Sequence, residues 1–243
     1  MKILFLTNRV NNYVPGFHNV ISVMQELGHE TIWAANFCNL DKYKDKIPCK
    51  IRQVSINSYP LNRGNASAYK KLKIIIKSEE VDAIYCTTPI GSFLGRLLGK
   101  KFKQLIILYA AHGFLFFKGA PLINRTLYKW EEQYLARYTD VLITITDEDY
   151  LAAKHLKLRN NGNLYRIHGA GVEVGEKVVV DKTLKRNMIG VAGNSFLIVS
   201  AGFLNDNKNN EVIIKSISLM KNKTAYYVVC GDGERAEQLR KLA

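Results

Sequence analysis

Short apolar, β-rich runs alternate with stretches of helical periodicity along almost the whole of this chain, and that alternation limits the folds open to it. KILFLT precedes a helix around FHNVISVMQELG; HETIWAA and KIRQVSI precede a helix around SAYKKLKIIIKSEE, which leads into VDAIYCT. A helix over GSFLGRLLGKKF comes before QLIILYAAH, and one around RTLYKWEEQYLARY comes before VLITITD. Strands separated by helices predict an α/β chain with a mostly parallel sheet covered on both faces. In such sheets ligands bind beyond the carboxyl ends of the strands.

Residues 160–194 are rich in Gly and Asn and hold only a short strand in LYRIHG and a short helix over KTLKRNMI, the composition of an interdomain connection. A second series follows: SFLIVSAG, a helix over NEVIIKSISLM, AYYVVCG, and a helix from GERAEQLRKLA. Two strands and two helices do not bury both faces of an open sheet. The expected organisation is therefore a complete N-terminal Rossmann-like domain over 1–172, a linker over 173–194, and the start of a second Rossmann-like domain over 195–243.

At 243 residues and 47% hydrophobic content the chain has ample material for a packed core. Its four cysteines, Cys38, Cys49, Cys86 and Cys230, show neither C-x-x-C spacing nor histidine pairs, which argues against a zinc site or a disulfide framework and fits a reducing compartment. The apolar run at the N-terminus, Ile3–Leu6, is too short for a signal-peptide core, and Leu105–Phe117 is interrupted by His112 and Gly113 and is too short to span a bilayer. The net charge of +14 is concentrated early, with 19 Lys+Arg against 7 Asp+Glu in residues 1–130 and 16 against 14 thereafter. Such asymmetry marks either a partner of opposite charge or a merely solvated basic surface.

Three residues are candidates for chemistry. Gly16 follows the first strand and precedes the helix that Pro15 helps to open, where helix N–H groups take an anion or where a turn simply needs a glycine. His112 closes QLIILYAAH; a histidine on an apolar strand is commonly a satisfied core residue, but the carboxyl end of a strand is where these sheets present functional groups. Its neighbours GFLFFKGAP read either as an aromatic loop facing a ligand or membrane, or as an apolar lid on the core. Lys208, ahead of the helix in SAGFLNDNKNNE, either complements a diphosphate or is an ordinary surface lysine. CGDG supplies a Gly-x-Gly, weak evidence for a nucleotide by itself. H-E-x-x-H, G-x-x-x-x-G-K-[ST] and G-x-S-x-G are all missing from the sequence, which removes support for metalloprotease, P-loop NTPase and α/β-hydrolase readings.

Taken in order, GHETIWAA, TTPIGSFLGRLLGKK, AHGFLFFKGAP, EQYLARYTDVLITITDEDY, HGAGVEV, SAGFLNDNKNNEVIIKSI and VVCGDGERAEQLRKLA resemble glycosyltransferase family 4, of the retaining, two-Rossmann-domain GT-B type. Among its members the chain is most similar to enzymes of capsule, exopolysaccharide or lipopolysaccharide assembly. The resemblance implies transfer of a sugar from a nucleotide diphosphate sugar to a saccharide or lipid-linked acceptor, with retention of configuration and with neither a cofactor nor a tightly held metal. It implies a nucleotide held mainly by the C-terminal domain and an acceptor docked on the N-terminal one. His112 matches the family's cleft histidine, which approaches the transferred sugar. Gly16 matches the glycine of the first loop near the diphosphate, and Lys208 the lysine that neutralises the leaving diphosphate.

Two departures stand out. Where the family often has arginine in a Gly-Arg-Leu run, this chain has Phe203 in GFL. Family members also continue through a Glu-x7-Glu region that holds the donor sugar and ribose, whereas this chain ends at Ala243. A non-catalytic acceptor- or membrane-binding half, working with a separate donor-domain chain, is therefore the competing expectation. AYKKLKIIIK and LGRLLGKKFK mix basic and apolar residues as peripheral contact with an anionic leaflet requires, and equally as helices packed on a sheet with their lysines in water require. The expected location is cytoplasmic, at the inner face of the cell membrane. Nucleic acid is not an expected partner, because no binding motif or interleaved aromatic pattern accompanies the charge.

Overall fold

The structure, a computed structural model, describes residues 1–11, 15–60, 62–169, 175, 178–221 and 224–243. It falls into two compact units, Met1–Val174 and Gly175–Ala243. The expected domain boundary at 172–173, most of HGAGVEV, and the loop at 12–14 ahead of Gly16 lie outside the described residues.

In the first unit, strands β1 (Lys2–Val10), β2 (Glu30–Phe37), β3 (Lys50–Gln53), β4 (Ala83–Cys86), β5 (Ile106–Ala111), β6 (Val141–Thr144) and β7 (Asn163–Arg166) form one sheet. Its order is β3-β2-β1-β4-β5-β6-β7, with every pairing parallel. Alternate side chains of the same strands feed two cores. Leu4, Leu6, Ile84, Cys86 and Ile107 join one, while Ile3, Phe5, Trp33 and Tyr85 join the other. Burial on both faces is why these strands read as continuous apolar runs.

Helices α1 (Pro15–Glu26), α2 (Gly64–Ser78), α3 (Pro89–Lys101), α4 (Leu122–Ala136) and α5 (Asp147–Ala153) connect the strands. α2 and α3 supply Leu72, Ile75, Leu94 and Leu98 to the first core, and α1 supplies Ile21 to the second. α3 lies against the strands because Gly91, Gly95 and Gly99 share one helical face. A Cβ at Gly91 would meet the Leu6 carbonyl at 3.1 Å, and one at Gly95 would meet Cys86 Cβ at 2.9 Å.

Three sequence expectations need correction. Gly16 does not precede α1 but lies in its first turn, because Pro15, with φ already helical, opens the helix. The strand expected through VLITITD stops at Thr144, and α5 begins at Asp147. Thr146 caps that helix, its Oγ1 accepting the Asp149 N–H at 3.1 Å, and three acidic residues occupy the first turn, where the helix dipole favours them. Finally, Arg96 of LGRLLGKKFK is not part of a basic surface: it is 1% exposed.

The second unit opens with α6 (Lys182–Met188), capped by the Asp181 carboxylate, which accepts the N–H groups of Thr183 and Leu184. Strands β8 (Phe196–Ala201) and β9 (Ala225–Cys230) then pair in parallel and alternate with α7 (Asn210–Leu219) and α8 (Ala236–Leu242). Among the described residues no helix is long and apolar enough to cross a membrane.

Candidate functional site

The chain leaves β1 toward β2 and β3 on one side and returns to place β4, β5, β6 and β7 on the other, so the order switches direction between β1 and β4. A crevice at the carboxyl ends of the strands follows from such a switch. There Asn8 at the end of β1 and Thr88 after β4 are bound to each other. The Asn8 N–H donates to Thr88 Oγ1 at 3.0 Å, Thr88 Oγ1 donates to Asn8 Oδ1 at 2.8 Å, and the same Oδ1 accepts the Gly91 N–H at the start of α3. Thr88 has φ +67°, a strained conformation for a β-branched residue, and these bonds hold it there.

Beside Thr88 opens a pocket of about 550 Å³, walled by the loop after β3, the start of α3, the end of β5 and one face of α4. His112 lines it, exposed and one residue past the end of β5. Gly113, at φ +125°, turns the chain immediately afterwards. The following loop is part anchor, part surface. Phe114 is buried and stacks on Phe116 at 4.9 Å, its N–H donating to Asp149 Oδ1 at 3.0 Å, and the Lys118 N–H donates to Glu148 at 3.0 Å. Leu115 and Phe117 face solvent. α5 therefore holds the loop that carries His112, a role the sequence signalled only through the Thr146-x-x-Asp149 capping pattern.

Under the pocket lies an ion pair that sequence reading missed. Arg96 meets the Glu132 carboxylate with Nη1 at 2.5 Å and Nη2 at 3.1 Å, and its guanidinium sits 4.1 Å from the centre of the Tyr109 ring. The Tyr109 hydroxyl donates to the same carboxylate at 3.3 Å. Burial alone would lower the Arg96 pKa, but the charge and hydrogen bonds of Glu132 reverse this and hold it above the usual value. Burial and the Glu132 charge push the Tyr109 hydroxyl up, so it remains a donor. Adjacent Glu131 also lines the pocket; burial first, then the Glu132 charge, raise its carboxyl pKa, with Arg96 opposing.

Lys208 belongs to the second unit. It ends a short 3₁₀ turn, Asp206–Lys208, just ahead of α7, and its N–H donates to Asn205 Oδ1 at 3.1 Å. Its side chain is exposed, and Cε lies 3.9 Å from where a Cβ on Gly202 would stand. Gly202 itself has φ +155°. The Gly-x-Gly of CGDG has a packing role, since Cβ atoms at Gly231 and Gly233 would collide with the backbone of Gly202 and Leu204 at 1.9 and 2.5 Å. Phe203 is exposed, and nearby Arg235 pairs with Asp206 and Glu211. Gly16 and His112 thus fall in the first unit and Lys208 in the second. Among the described residues no group of three His, Cys, Asp or Glu side chains is placed to hold a metal ion.

Comparison with known proteins gives a consistent result. The sequence profile described as Glycosyltransferase Family 4 matches residues 16–160. The chain is 34% identical over 250 residues to the Bacillus subtilis (strain 168) protein named "Putative glycosyltransferase EpsD", covering 100% of this chain and 64% of that one. It is 25% identical over 187 residues to the Escherichia coli UDP-Gal:alpha-D-GlcNAc-diphosphoundecaprenol alpha-1,3-galactosyltransferase, covering 72% of this chain and 48% of that enzyme. The chain thus spans less than two thirds of the length of these curated relatives. The crystal structure of a glycosyltransferase from Rickettsia africae ESF-5 superposes with a TM-score of 0.66 at 18% identity, over 99% of this chain and 63% of that one, a likeness of fold.

Proposed function

The chain belongs to glycosyltransferase family 4, and from that premise we propose that it serves a retaining transfer of a sugar from a nucleotide diphosphate sugar to a saccharide or lipid-linked acceptor in cell-surface polysaccharide biosynthesis. The observation that carries this reading is the placement of His112 at the carboxyl end of β5, lining a 550 Å³ pocket at the switch-point end of the sheet. In transfer, the bond between the sugar's anomeric carbon and the diphosphate oxygen breaks, a bond from the acceptor hydroxyl oxygen to that carbon forms, and the proton of that hydroxyl passes to the departing diphosphate. Charge builds on the leaving diphosphate. His112 contacts the transferred sugar, the N-terminal turn of α1 that holds Gly16 offers N–H groups to a diphosphate, and Lys208, in the second unit, offers a positive charge to one.

The named substrate of the Escherichia coli relative, a diphosphoundecaprenol-linked sugar, supports a lipid-linked acceptor, and with it work at the cytoplasmic face of the membrane. A shallow groove of about 380 Å³ formed by Lys70, Lys73, Ile74, Lys77, Lys101 and Phe102 supports peripheral contact with an anionic leaflet, since its lining combines apolar side chains with lysines.

Calorimetric titration with UDP, GDP and their sugar conjugates tests the donor side. Binding of one of them at micromolar strength, weakened about tenfold or more by Lys208→Ala, is the expected result. Equal affinity in the variant removes Lys208 from the diphosphate site, and no binding by the folded protein counts against the donor assignment.

A further inference from the structure

Large apolar side chains crowd the surface between the His112 loop and the middle of α4. Phe117, Leu122, Ile123, Leu127 and Trp130 are 49%, 76%, 68%, 54% and 64% exposed. Exposed apolar residues scattered singly are ordinary, whereas a cluster of them marks a surface that another body covers. Ile123, Leu127 and Trp130, spaced i, i+4 and i+7, share one face of α4, turned away from the buried Leu135 and Ala136. Trp130 is braced in that position. Its ring stacks on Tyr134 at 5.7 Å, and Lys100 Nζ donates to the Tyr134 hydroxyl at 2.7 Å.

The charge beside this stripe selects its partner. From Gly113 to Trp130 the sequence holds Lys118, Arg125 and Lys129 and no aspartate or glutamate. All three cations are exposed, and with Phe116, Phe117 and Leu122 they line a groove of about 500 Å³ beside α4 that has no acidic residue in its wall among the described residues. A second copy of this chain, paired two-fold through the stripe, would set these cations against their own counterparts, which repel. An anionic bilayer leaflet complements both parts of the surface. Its phosphates attract lysine and arginine, and its acyl boundary takes up the apolar stripe, where an amphipathic tryptophan ring is at home.

We propose that the loop after His112 and the first half of α4 form a lipid-docking surface, in which Ile123, Leu127 and Trp130 enter the headgroup boundary of an anionic leaflet while Lys118, Arg125 and Lys129 hold its phosphates. The inference rests on the lipid-linked reading above and names the surface that meets the membrane. That surface begins in the loop that His112 opens, so docking brings the leaflet beside the pocket at the carboxyl end of β5.

The protein carries its own reporter, since of its two tryptophans Trp33 is 1% exposed and Trp130 stands on the proposed surface. The test adds vesicles of phosphatidylcholine, with or without an equal part of phosphatidylglycerol, to the full chain and follows tryptophan emission and cosedimentation. Mixed vesicles are expected to bind, to move the emission to shorter wavelength and to quench it when the acyl chains are brominated. Neutral vesicles are expected to bind about tenfold more weakly. Ile123→Ser combined with Leu127→Ser changes two exposed positions, and it is expected to keep the parent's thermal unfolding while binding mixed vesicles about tenfold or more weakly. Vesicle binding with unmoved Trp130 emission, or undiminished binding by the double variant, overturns the inference and leaves the groove of Lys70 and Lys77 to carry the peripheral contact. Equal binding to neutral vesicles also overturns it, because the cations would then contribute nothing. A shift that grows with protein concentration in the absence of lipid, together with a dimer in sedimentation, gives the stripe to a second copy and overturns it as well. No binding to either vesicle defeats this inference and the peripheral contact together. The donor titration on the same sample reads out separately, so that docking without donor binding defeats the donor assignment alone.

Discussion

Arg96 and Glu132, 36 residues apart in sequence, close a forked ion pair beneath the His112 pocket, with Arg96 1% exposed. Such a pair need not be worth more than a well-packed apolar core, but half of one is costly, because the remaining charge stays buried. Glu132→Gln is therefore expected to destabilise the protein by about 3–5 kcal/mol, read from urea unfolding midpoints. A loss under about 1 kcal/mol would mean that water reaches the guanidinium when its partner is removed.

The glycine face of α3 makes an opposite demand on sequence and structure. Alanine is the better helix former by about 1 kcal/mol, so propensity alone favours Gly95→Ala. In place, the new Cβ meets Cys86 Cβ at 2.9 Å and Sγ at 3.1 Å, atoms close to the β4 backbone with little room to yield. Overpacking of this kind costs about 1–3 kcal/mol, and the variant is expected to melt below the parent. A higher melting temperature would show that α3 stands further from the sheet than described.

The β/α order was legible in the sequence because every central strand buries both faces, which turns topology into a one-dimensional pattern of apolar runs. The position of His112 followed from the same pattern, since a polar residue ending such a run falls at the sheet's functional end. Arg96 was not legible. Its flanking leucines, glycines and lysines read as an amphipathic surface helix, and the carboxylate that allows its burial comes from a different helix. α5 escaped because Thr144, Ile145 and Thr146 continue the β-branched strand composition, so only the capping threonine and its acidic first turn mark the change. The bond from the Phe114 N–H to Asp149, which steadies the loop after His112, became visible only with the fold.

At the opposite end of the sheet, Glu79 accepts hydrogen bonds from Lys50 Nζ at 2.7 Å and from Arg52 Nε at 2.9 Å, which hold its carboxyl below the usual range despite burial. Its folded pKa therefore lies below the unfolded value of about 4.3. The stability it contributes is complete above that value and is lost as the pH falls through the folded pKa. Glu79→Gln is expected to lower stability at neutral pH and to give a flatter acid limb, the two curves converging in acid. Because Lys50 and Arg52 are partly exposed, added salt should narrow the neutral-pH difference. Parallel curves for parent and variant at every pH would exclude the ion cluster as the source.

The central claim is that His112 stands where a glycosyl group is transferred, and the most direct measurement is labelled-sugar transfer from UDP- and GDP-sugars to saccharide and lipid-linked acceptors, by the protein and by His112→Ala. His112 is exposed, so the substitution should leave thermal unfolding unchanged. The predicted result is transfer by the parent and a fall of about 100-fold or more in the variant, the scale of losing one aimed group at a reacting centre. Transfer at the parental rate by an equally folded variant would contradict it.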